Sequence, residues 1–132
     1  MNLNQTFTFD GNTIGADIEC NLDMVIYSDP DRIENLLNDQ GVNHDNPIRE
    51  RVEAQGQIAC IKNVNVEEDE RGQGYGSQLM YAAIEELDRH GVECFLQVDE
   101  GEEQQEGFDL YEFYKRFNFN EVGNGESPFL MR

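Results

Sequence analysis

The sequence is short of several residue types, and each shortage narrows what the chain can be. It has 132 residues with no tryptophan, three prolines and three cysteines. Cys20, Cys60 and Cys94 are odd in number and too widely spaced for a pair of zinc ligands, so we expect no metal and buried free thiols. No apolar run approaches the roughly 18 residues of a membrane span, and the start shows no signal-peptide pattern. We therefore predict a cytoplasmic protein without membrane contact.

Basic residues are the other shortage. Nine lysines and arginines face 28 acidic residues, which gives a formal net charge of −19, and only Lys62 and Lys115 are lysines. Such a charge repels nucleic acid and anionic membranes, so no direct nucleic-acid binding is expected, and it attracts basic partners. Solubility, or a source adapted to high salt, would also explain the acidity. The composition leaves these explanations open beside a surface that binds a basic protein.

The chain contains enough apolar residues to form the core of one folded domain. Hydrophobic residues make up 38% of the chain and aromatic residues 10%, which is typical of a globular protein rather than of a disordered one. With 132 residues, the expected organisation is a single domain spanning 1–132 that buries roughly two-thirds of its unfolded surface. The oligomeric state stays open, with a homodimer among the options.

The apolar pattern predicts an alternation of strands and helices. Strands are expected at 6–9, 14–19, 24–27, 58–66 and 94–98, helices at 30–40, 74–90 and 108–117, and a closing hairpin from 119–122 and 129–131. Uninterrupted alternation in the strand 58–66 would group Cys60, Lys62 and Val64 on one side. Residues 42–53 show no pattern, and 99–106 is typical of a solvated loop. The order predicts a mixed α/β (α+β) domain with a strand–loop–helix–strand unit at its centre.

The stretch ERGQGYGSQLM at 70–80 holds three glycines within five positions, between a predicted strand and a predicted helix. The first amides of a helix have no partner within it, and the helix dipole adds partial positive charge, so such a loop can hold phosphate. Glycine lets an anion approach the backbone and permits a positive φ. The alternative is a glycine-rich turn without a ligand.

Two common phosphate-binding patterns do not fit this loop. The Walker loop needs a lysine after its glycines, and the spacing GxGxG followed by Ser77 does not match the dinucleotide pattern GxGxxG. What remains is Arg-x-x-Gly-x-Gly, formed by Arg71, Gly74 and Gly76. This resembles the acyl-coenzyme A signature of the GNAT N-acetyltransferase superfamily.

A second element carries the same resemblance. YKRFNF at 114–119 is similar to the family's element of a tyrosine, three residues, glycine and phenylalanine. Asn118 stands at the glycine position, and asparagine is the other residue that accepts a left-handed backbone at a helix end. The resemblance covers about residues 58–119, and the first 57 residues fit only as the variable half.

The resemblance implies a GNAT fold, with a central mixed, mostly antiparallel twisted sheet flanked by helices and a splay between the strands that end near Val66 and Val98. It implies acetyl-coenzyme A (acetyl-CoA) as co-substrate and no metal. The residues that match the family's cofactor-binding segment are Val64, Asn65, Val66, Arg71, Gly72, Gln73, Gly74, Tyr75, Gly76 and Ser77. Tyr114 matches the tyrosine that protonates the leaving thiolate, and the competing interpretation is a core tyrosine on an aromatic helix face.

The sequence departs from the family pattern at several points. Gly107 stands where the family often has an asparagine, and Gln73 and Gln78 stand where basic side chains would help to hold phosphates. No general base is assigned: Glu67 and Glu68 could act through water, but a solvated acidic loop explains both more simply.

The implied activity is transfer of an acetyl group to a primary amine by direct attack within a ternary complex. Together with the acidity, this favours a lysine or amino terminus of a basic protein as acceptor. The runs GSQLM, LYEFY and LMR also resemble compact phage-type members that include an anti-CRISPR acetyltransferase, which implies a host-defence acceptor and the host cytoplasm. The alternative is a non-enzymatic acidic inhibitor on the same scaffold, which mimics DNA and binds a basic nucleic-acid-binding protein.

Overall fold

One six-stranded sheet carries the fold in the computed structural model, which describes residues 4–66, 74–98, 110–122 and 129–132, apart from the side chains of Val66 and Leu110. The strand order is β1-β2-β3-β4-β6-β5. The strands are β1 Asn4–Asp10, β2 Cys20–Tyr27, β3 Ile58–Val66, β4 Cys94–Gln97, β5 Asn120–Glu121 and β6 Phe129–Met131. The helices are α1 Pro30–Asp39, α2 Pro47–Gln55, α3 Tyr75–His90 and α4 Leu110–Lys115.

The sheet is mixed and mostly antiparallel, as predicted. β3 and β4 run parallel, with α3 as the connection between them, and the other neighbouring pairs of described strands are antiparallel. Parallel neighbours need a long crossover, and the helix supplies it. The carboxyl ends of β3 and β4 therefore meet at one edge of the sheet, and α3 begins close to that edge in sequence.

Two buried clusters lie on opposite faces of the sheet. On one face α3 packs with its buried stripe of Leu79, Met80, Ala83 and Leu87, which recur at three- and four-residue intervals. On the other face α1 and α2 contribute Ile33, Leu36, Leu37, Ile48 and Val52. Among the described residues, no buried side chain is polar or charged. The polar side chains of the described residues therefore lie at the strand ends, on the exposed surfaces of the helices and on the uncovered parts of the sheet.

The strand predicted at 14–19 is wrong. The chain turns through residues 11–15, and β2 begins only at Cys20, earlier than the predicted 24. Asp10 Oδ1 accepts a hydrogen bond from the Thr13 amide at 3.1 Å, and Gly15 has φ +81°. Gly11 is packed so closely that a Cβ would lie 2.3 Å from the Ile18 carbonyl oxygen. This turn chemistry outweighs the weak alternation of the segment.

Residues 42–53, which showed no pattern, contain most of α2. Asn46 Oδ1 caps the helix by accepting from the Ile48 amide at 2.9 Å, Pro47 occupies the first turn, and Gly56 ends the helix with φ 70°. Only Ile48 and Val52 are buried on this helix. A stripe of two residues is too narrow to give a helical periodicity, so the asparagine–proline start was the signal that could have found it.

The C-terminal predictions agree with the structure where it describes them. The closing hairpin is confirmed, because β5 pairs antiparallel with β6 through Asn120↔Met131 and Glu121↔Leu130. The predicted loop 99–106 and the first residues of the predicted helix 108–117 lie outside the described residues. None of the helices in the described ranges combines the length and the apolar character needed to cross a membrane.

Asn46 allows a direct test of α2. Replacing Asn46 with alanine should lower the free energy of unfolding by about 1 kcal/mol, because the Ile48 amide loses its acceptor. Asn46→Asp keeps an acceptor at the same place and should leave stability close to that of the wild type. Urea unfolding followed by far-UV circular dichroism measures both, and equal stability of the two variants would contradict the cap.

Candidate active site

β3 separates from β4 after three residue pairs. These pairs are Ala59↔Cys94, Cys60↔Phe95 and Ile61↔Leu96, whereas β3 continues to Val66 and stays paired with β2 over that length. Within the described residues, the β4-facing edge of β3 has no strand partner beyond Ile61. This is the predicted splay. Backbone N–H and C=O groups along such an edge can bind an extended ligand as an added strand.

A β-bulge lies where the two strands separate. Ile61 pairs with Met24 and Asn63 pairs with Asp23, so Lys62 is an extra residue in β3. A bulge bends its strand and increases the local twist, and it lies here immediately after the last β3–β4 pair. It therefore accounts for the departure of β3 from β4.

The bulge also reverses which side chains of β3 face α3. Ile61 and Val64 contact the cluster beneath α3, while Cys60 belongs to the cluster beneath α1 and α2. The grouping of Val64 with Cys60, which uninterrupted alternation predicted, is therefore wrong. The signal in the sequence was the change from an apolar run to exposed Lys62 and Asn63 within one strand.

α3 begins with a left-handed residue and an uncapped turn. Gly74 is the N-cap residue with φ 84°, and no side chain of a described residue caps the helix. Gln78 donates its amide hydrogen to the Gly74 carbonyl at 3.1 Å, so the amides of Tyr75, Gly76 and Ser77 precede the first intrahelical bond. A Cβ at position 74 would meet open space. The backbone conformation, rather than crowding, therefore requires glycine there.

The predicted cofactor-binding residues fall into two described groups and one group outside the description. Val64, Asn65 and Val66 lie on β3 beyond the bulge, and residues 74–77 form the start of α3. Arg71, Gly72 and Gln73 lie outside the described residues, as do Glu67 and Glu68. Val64, Tyr75 and Tyr114 all pack against the same buried cluster beneath α3. The strand end, the helix start and the tyrosine therefore share one face of the sheet.

Tyr114 lies in the last turn of α4 between two phenylalanines. Its ring meets those of Phe113 and Phe119 edge to face, with centroids 5.2 Å and 6.3 Å apart. Burial raises the pKa of the Tyr114 phenol above its ordinary value of 10.0. The hydroxyl forms no hydrogen bond to another residue in the described part of the chain. Tyr114 therefore keeps its proton at neutral pH, and no described residue accepts it.

A Schellman motif at the end of α4 fixes the position of Tyr114. Asn118 has φ 70°, its amide donates to the Lys115 carbonyl at 3.0 Å, and the Phe119 amide donates to the Tyr114 carbonyl at 3.4 Å. The left-handed conformation expected of Asn118 is confirmed. In this motif the residue after the left-handed one packs against the residue that accepts its bond, and here these are Phe119 and Tyr114.

Arg132 holds the same end of α4 from outside the helix. Its Nε donates to the Phe117 carbonyl at 3.1 Å, and its Nη1 lies 2.8 Å from Asp88 Oδ1 on α3. Its backbone amide donates to the Cys94 carbonyl of β4 at 2.8 Å. Through its side chain and its backbone, this one residue therefore links the end of α4, α3 and β4. This role of Arg132 was not predicted, because nothing local in the run LMR indicates a partner so far away in the chain.

A comparison with protein-family models matches residues 39–119 to the acetyltransferase (GNAT) family. The chain belongs to this family. The matched region includes the bulge of β3, the glycine start of α3 and the Tyr114–Phe119 element, and proteins of the GNAT family use acetyl-CoA.

A comparison with solved structures supports the fold over nearly the whole chain. The crystal structure of the anti-CRISPR protein AcrVA5 aligns with a TM-score of 0.57 at 14% identity, covering 96% of this chain and 97% of that one. At this identity the likeness concerns the fold. The comparison with curated proteins gave no match.

Other candidate centres in this GNAT protein do not join the site. Within the described ranges, no group of three or more His, Cys, Asp or Glu side chains is arranged to hold a metal ion. Burial raises the pKa of Cys60 to about 12 and that of Cys94 well above its ordinary value, so neither thiol is a nucleophile at neutral pH. A groove of about 670 Å³ lies between α1 and α2 and is lined by Ile33, Leu37 and His44, among others. It belongs to the face of the sheet away from α3.

Asn118 allows a test of the α4 end. Asn118→Val should destabilise the protein by about 1–2 kcal/mol, because a β-branched residue is strained at φ 70°. Asn118→Gly adopts this conformation freely and should leave stability unchanged or slightly higher. Chemical denaturation of both variants measures their free energies of unfolding. A valine variant as stable as the glycine variant would rule out the left-handed turn.

Proposed function

We propose that this GNAT protein is an N-acetyltransferase that moves an acetyl group from acetyl-CoA to a primary amine by direct attack within a ternary complex. The supporting observation is the opening at the bulge: β3 leaves β4 after Ile61, and an uncapped helix start at Gly74 lies on the α3 face of the same sheet edge. An open strand edge suits an extended amide-bearing arm, and uncapped helix amides suit a pyrophosphate.

The binding residues act mainly through their backbone. The open edge of β3 is formed by Val64, Asn65 and Val66. The amides of residues 75–77 lie at the N-terminal, positive end of the α3 dipole. We assign the phosphates to these amides together with Arg71, Gly72, Gln73 and Gly74. Arg71 is the only basic residue between 67 and 78, so amide donors, rather than a basic patch, carry the affinity.

Tyr114 is the general acid in this proposal. A thioester supplies an activated acetyl group, and its sulfur needs a proton as it leaves. Tyr114 Oη donates that proton, the attacking amine loses one to solvent, and the Tyr114 phenolate then regains a proton from solvent. The raised phenol pKa and the two flanking phenylalanines keep the hydroxyl protonated and shielded from water until that moment. Both substrates are held together, so no covalent nucleophile is needed.

The acceptor proposed here is a lysine or amino terminus of a basic protein. The formal net charge of −19 supports this, because it favours encounter with cationic partners. The fold likeness to an anti-CRISPR protein adds support for a component of host defence as the target, met in the host cytoplasm.

Calorimetry with acetyl-CoA tests the binding site. Gly74→Glu should weaken binding at least tenfold, because it places a strained, negatively charged side chain at the helix start. Gly91→Glu is a matched control, since Gly91 also has a positive φ and open space but lies at the other end of α3, and it should bind like the wild type. No heat and no thermal shift of the wild type at millimolar acetyl-CoA would overturn the proposed function.

Tyr114→Phe tests the general acid. We expect kcat to fall by about 10²-fold or more, with the affinity for acetyl-CoA unchanged, because only the proton donor is removed. Tyr81→Phe is the matched control, because the Tyr81 hydroxyl has no role in the proposal. Tyr81 is 65% exposed, and the centroid of its ring lies 5.1 Å from that of Phe117.

The pH profile adds a second measurement for Tyr114. Because burial raises its pKa above 10.0, the donating form persists to higher pH, and the midpoint of the activity loss caused by its ionisation should lie above pH 10. The pH profile of Tyr114→Phe should lack this loss of activity at high pH. Turnover by Tyr114→Phe equal to that of the wild type would remove Tyr114 from the mechanism.

The acidity alone favours a second candidate, a non-enzymatic inhibitor that mimics DNA. With 28 acidic residues against nine basic ones, such a protein would bind a basic nucleic-acid-binding protein without any cofactor. The double variant Gly74→Glu, Gly76→Glu separates the two functions. If this variant still inhibits a basic nucleic-acid-binding protein stoichiometrically in the absence of acetyl-CoA, the result would favour the mimic.

A further inference from the structure

A half-buried carboxylate lies on β2 beside the opening of the sheet. Asp23 stands between Leu22 and Met24, whose side chains are fully buried in the cluster beneath α3. Because side chains alternate along a strand, Asp23 projects from the opposite face. Val25, two residues further on, packs on that face into the cluster beneath α1 and α2. Asp23 therefore lies on the face of the sheet away from the glycine start of α3.

The cross-strand neighbours of Asp23 on this face are polar. Asn63 pairs with it from β3, and Thr8 pairs with it from β1. Both neighbours are exposed, as is Asn65 two residues further along β3. The part of the sheet around Asp23 is therefore a polar, accessible surface rather than a floor for a helix.

This surface adjoins the point where β3 leaves β4. Ile61 forms the last β3–β4 pair, Lys62 is the bulged residue, and Asn63 opposite Asp23 comes next. Neighbouring strands are about 4.8 Å apart. An amine above β3 at Asn63 would thus be within direct or one-water reach of both the Asp23 carboxylate and the gap between β3 and β4.

The Asp23 carboxylate has capacity for a ligand. Asp23 Oδ1 accepts one hydrogen bond, from Thr8 Oγ1 at 3.1 Å, and a carboxylate has about four acceptor positions. In the described part of the chain neither Asp23 nor exposed Lys62 takes part in an ion pair. The nearest cation along β3 therefore forms no ion pair with the carboxylate.

We propose that Asp23 binds the protonated primary amine of the acceptor and holds it over the bulge of β3, which makes the acceptor class a cationic amine such as a lysine side chain. The inference rests on the proposed function and deepens it. Asp23 accepts an N–H hydrogen bond from the ammonium, and the ammonium then loses a proton to water before its nitrogen attacks. The hydrogen bond from Thr8 sets the position of the carboxylate.

The test compares acceptor kinetics of three variants with poly-L-lysine as acceptor. Asp23→Asn keeps an oxygen that accepts from Thr8 but removes the charge, and we expect its KM for poly-L-lysine to rise about tenfold or more, with KM for acetyl-CoA unchanged. Asp23→Glu keeps the charge and should recover most of the loss. Glu53→Gln removes the same charge from the exposed last turn of α2 and should leave both constants within twofold of the wild type.

The outcomes separate this inference from the proposed function. If the wild type binds acetyl-CoA but does not acetylate poly-L-lysine, the assignment of a cationic acceptor is overturned both in the proposed function and in this inference. A wild type that acetylates it while Asp23→Asn keeps its KM overturns the role of Asp23 alone. An equal rise of KM in Glu53→Gln would do the same, because it would show a general effect of surface charge. Thermal unfolding of Asp23→Asn close to that of the wild type confirms that the variant is folded.

Discussion

The single extra residue at Lys62 is the constraint on which the rest of the site depends. β3 lies inside the sheet, paired with β2 along its whole length, yet it pairs with β4 only from Ala59 to Ile61. An interior strand with an open edge leaves backbone donors and acceptors without partners, which is costly unless water or a ligand satisfies them. The bulge creates this opening while β3 stays paired with β2 before and after it, because the extra residue is accommodated between two consecutive register pairs.

Tyr114 depends on contacts well outside its own helix. α4 spans only Leu110–Lys115, which is too short to be stable on its own. Its end is held by burial of Phe117 and Phe119, by the left-handed Asn118 and by the bond from Arg132 to the Phe117 carbonyl. A guanidinium at this end also complements the helix dipole. The orientation of the phenol is therefore a property of the packed C-terminal half of the chain, not of the helix that carries it.

The elements that could be predicted are those whose signals are local. Glycine at 74 and asparagine at 118 follow from the backbone conformations they permit, and α3 follows from its apolar stripe. The bulge and the Arg132 contacts depend on pairing between distant segments, which a single sequence does not reveal. The same holds for Asp23, whose alternation in β2 shows a polar face but not that the face adjoins the splay.

The proposed anion site in a chain of net charge −19 needs a physical explanation, and the two faces of the sheet provide it. Helix amides act within the first turn of α3, at distances where hydrogen bonding outweighs a diffuse field. That field is screened beyond about 10 Å at 0.1 M salt. Asp23 projects from the opposite face of the sheet. On the proposed assignment, the anionic co-substrate and the cationic acceptor therefore approach from opposite faces and meet at the gap beside β3, so the acidity assists one substrate without excluding the other.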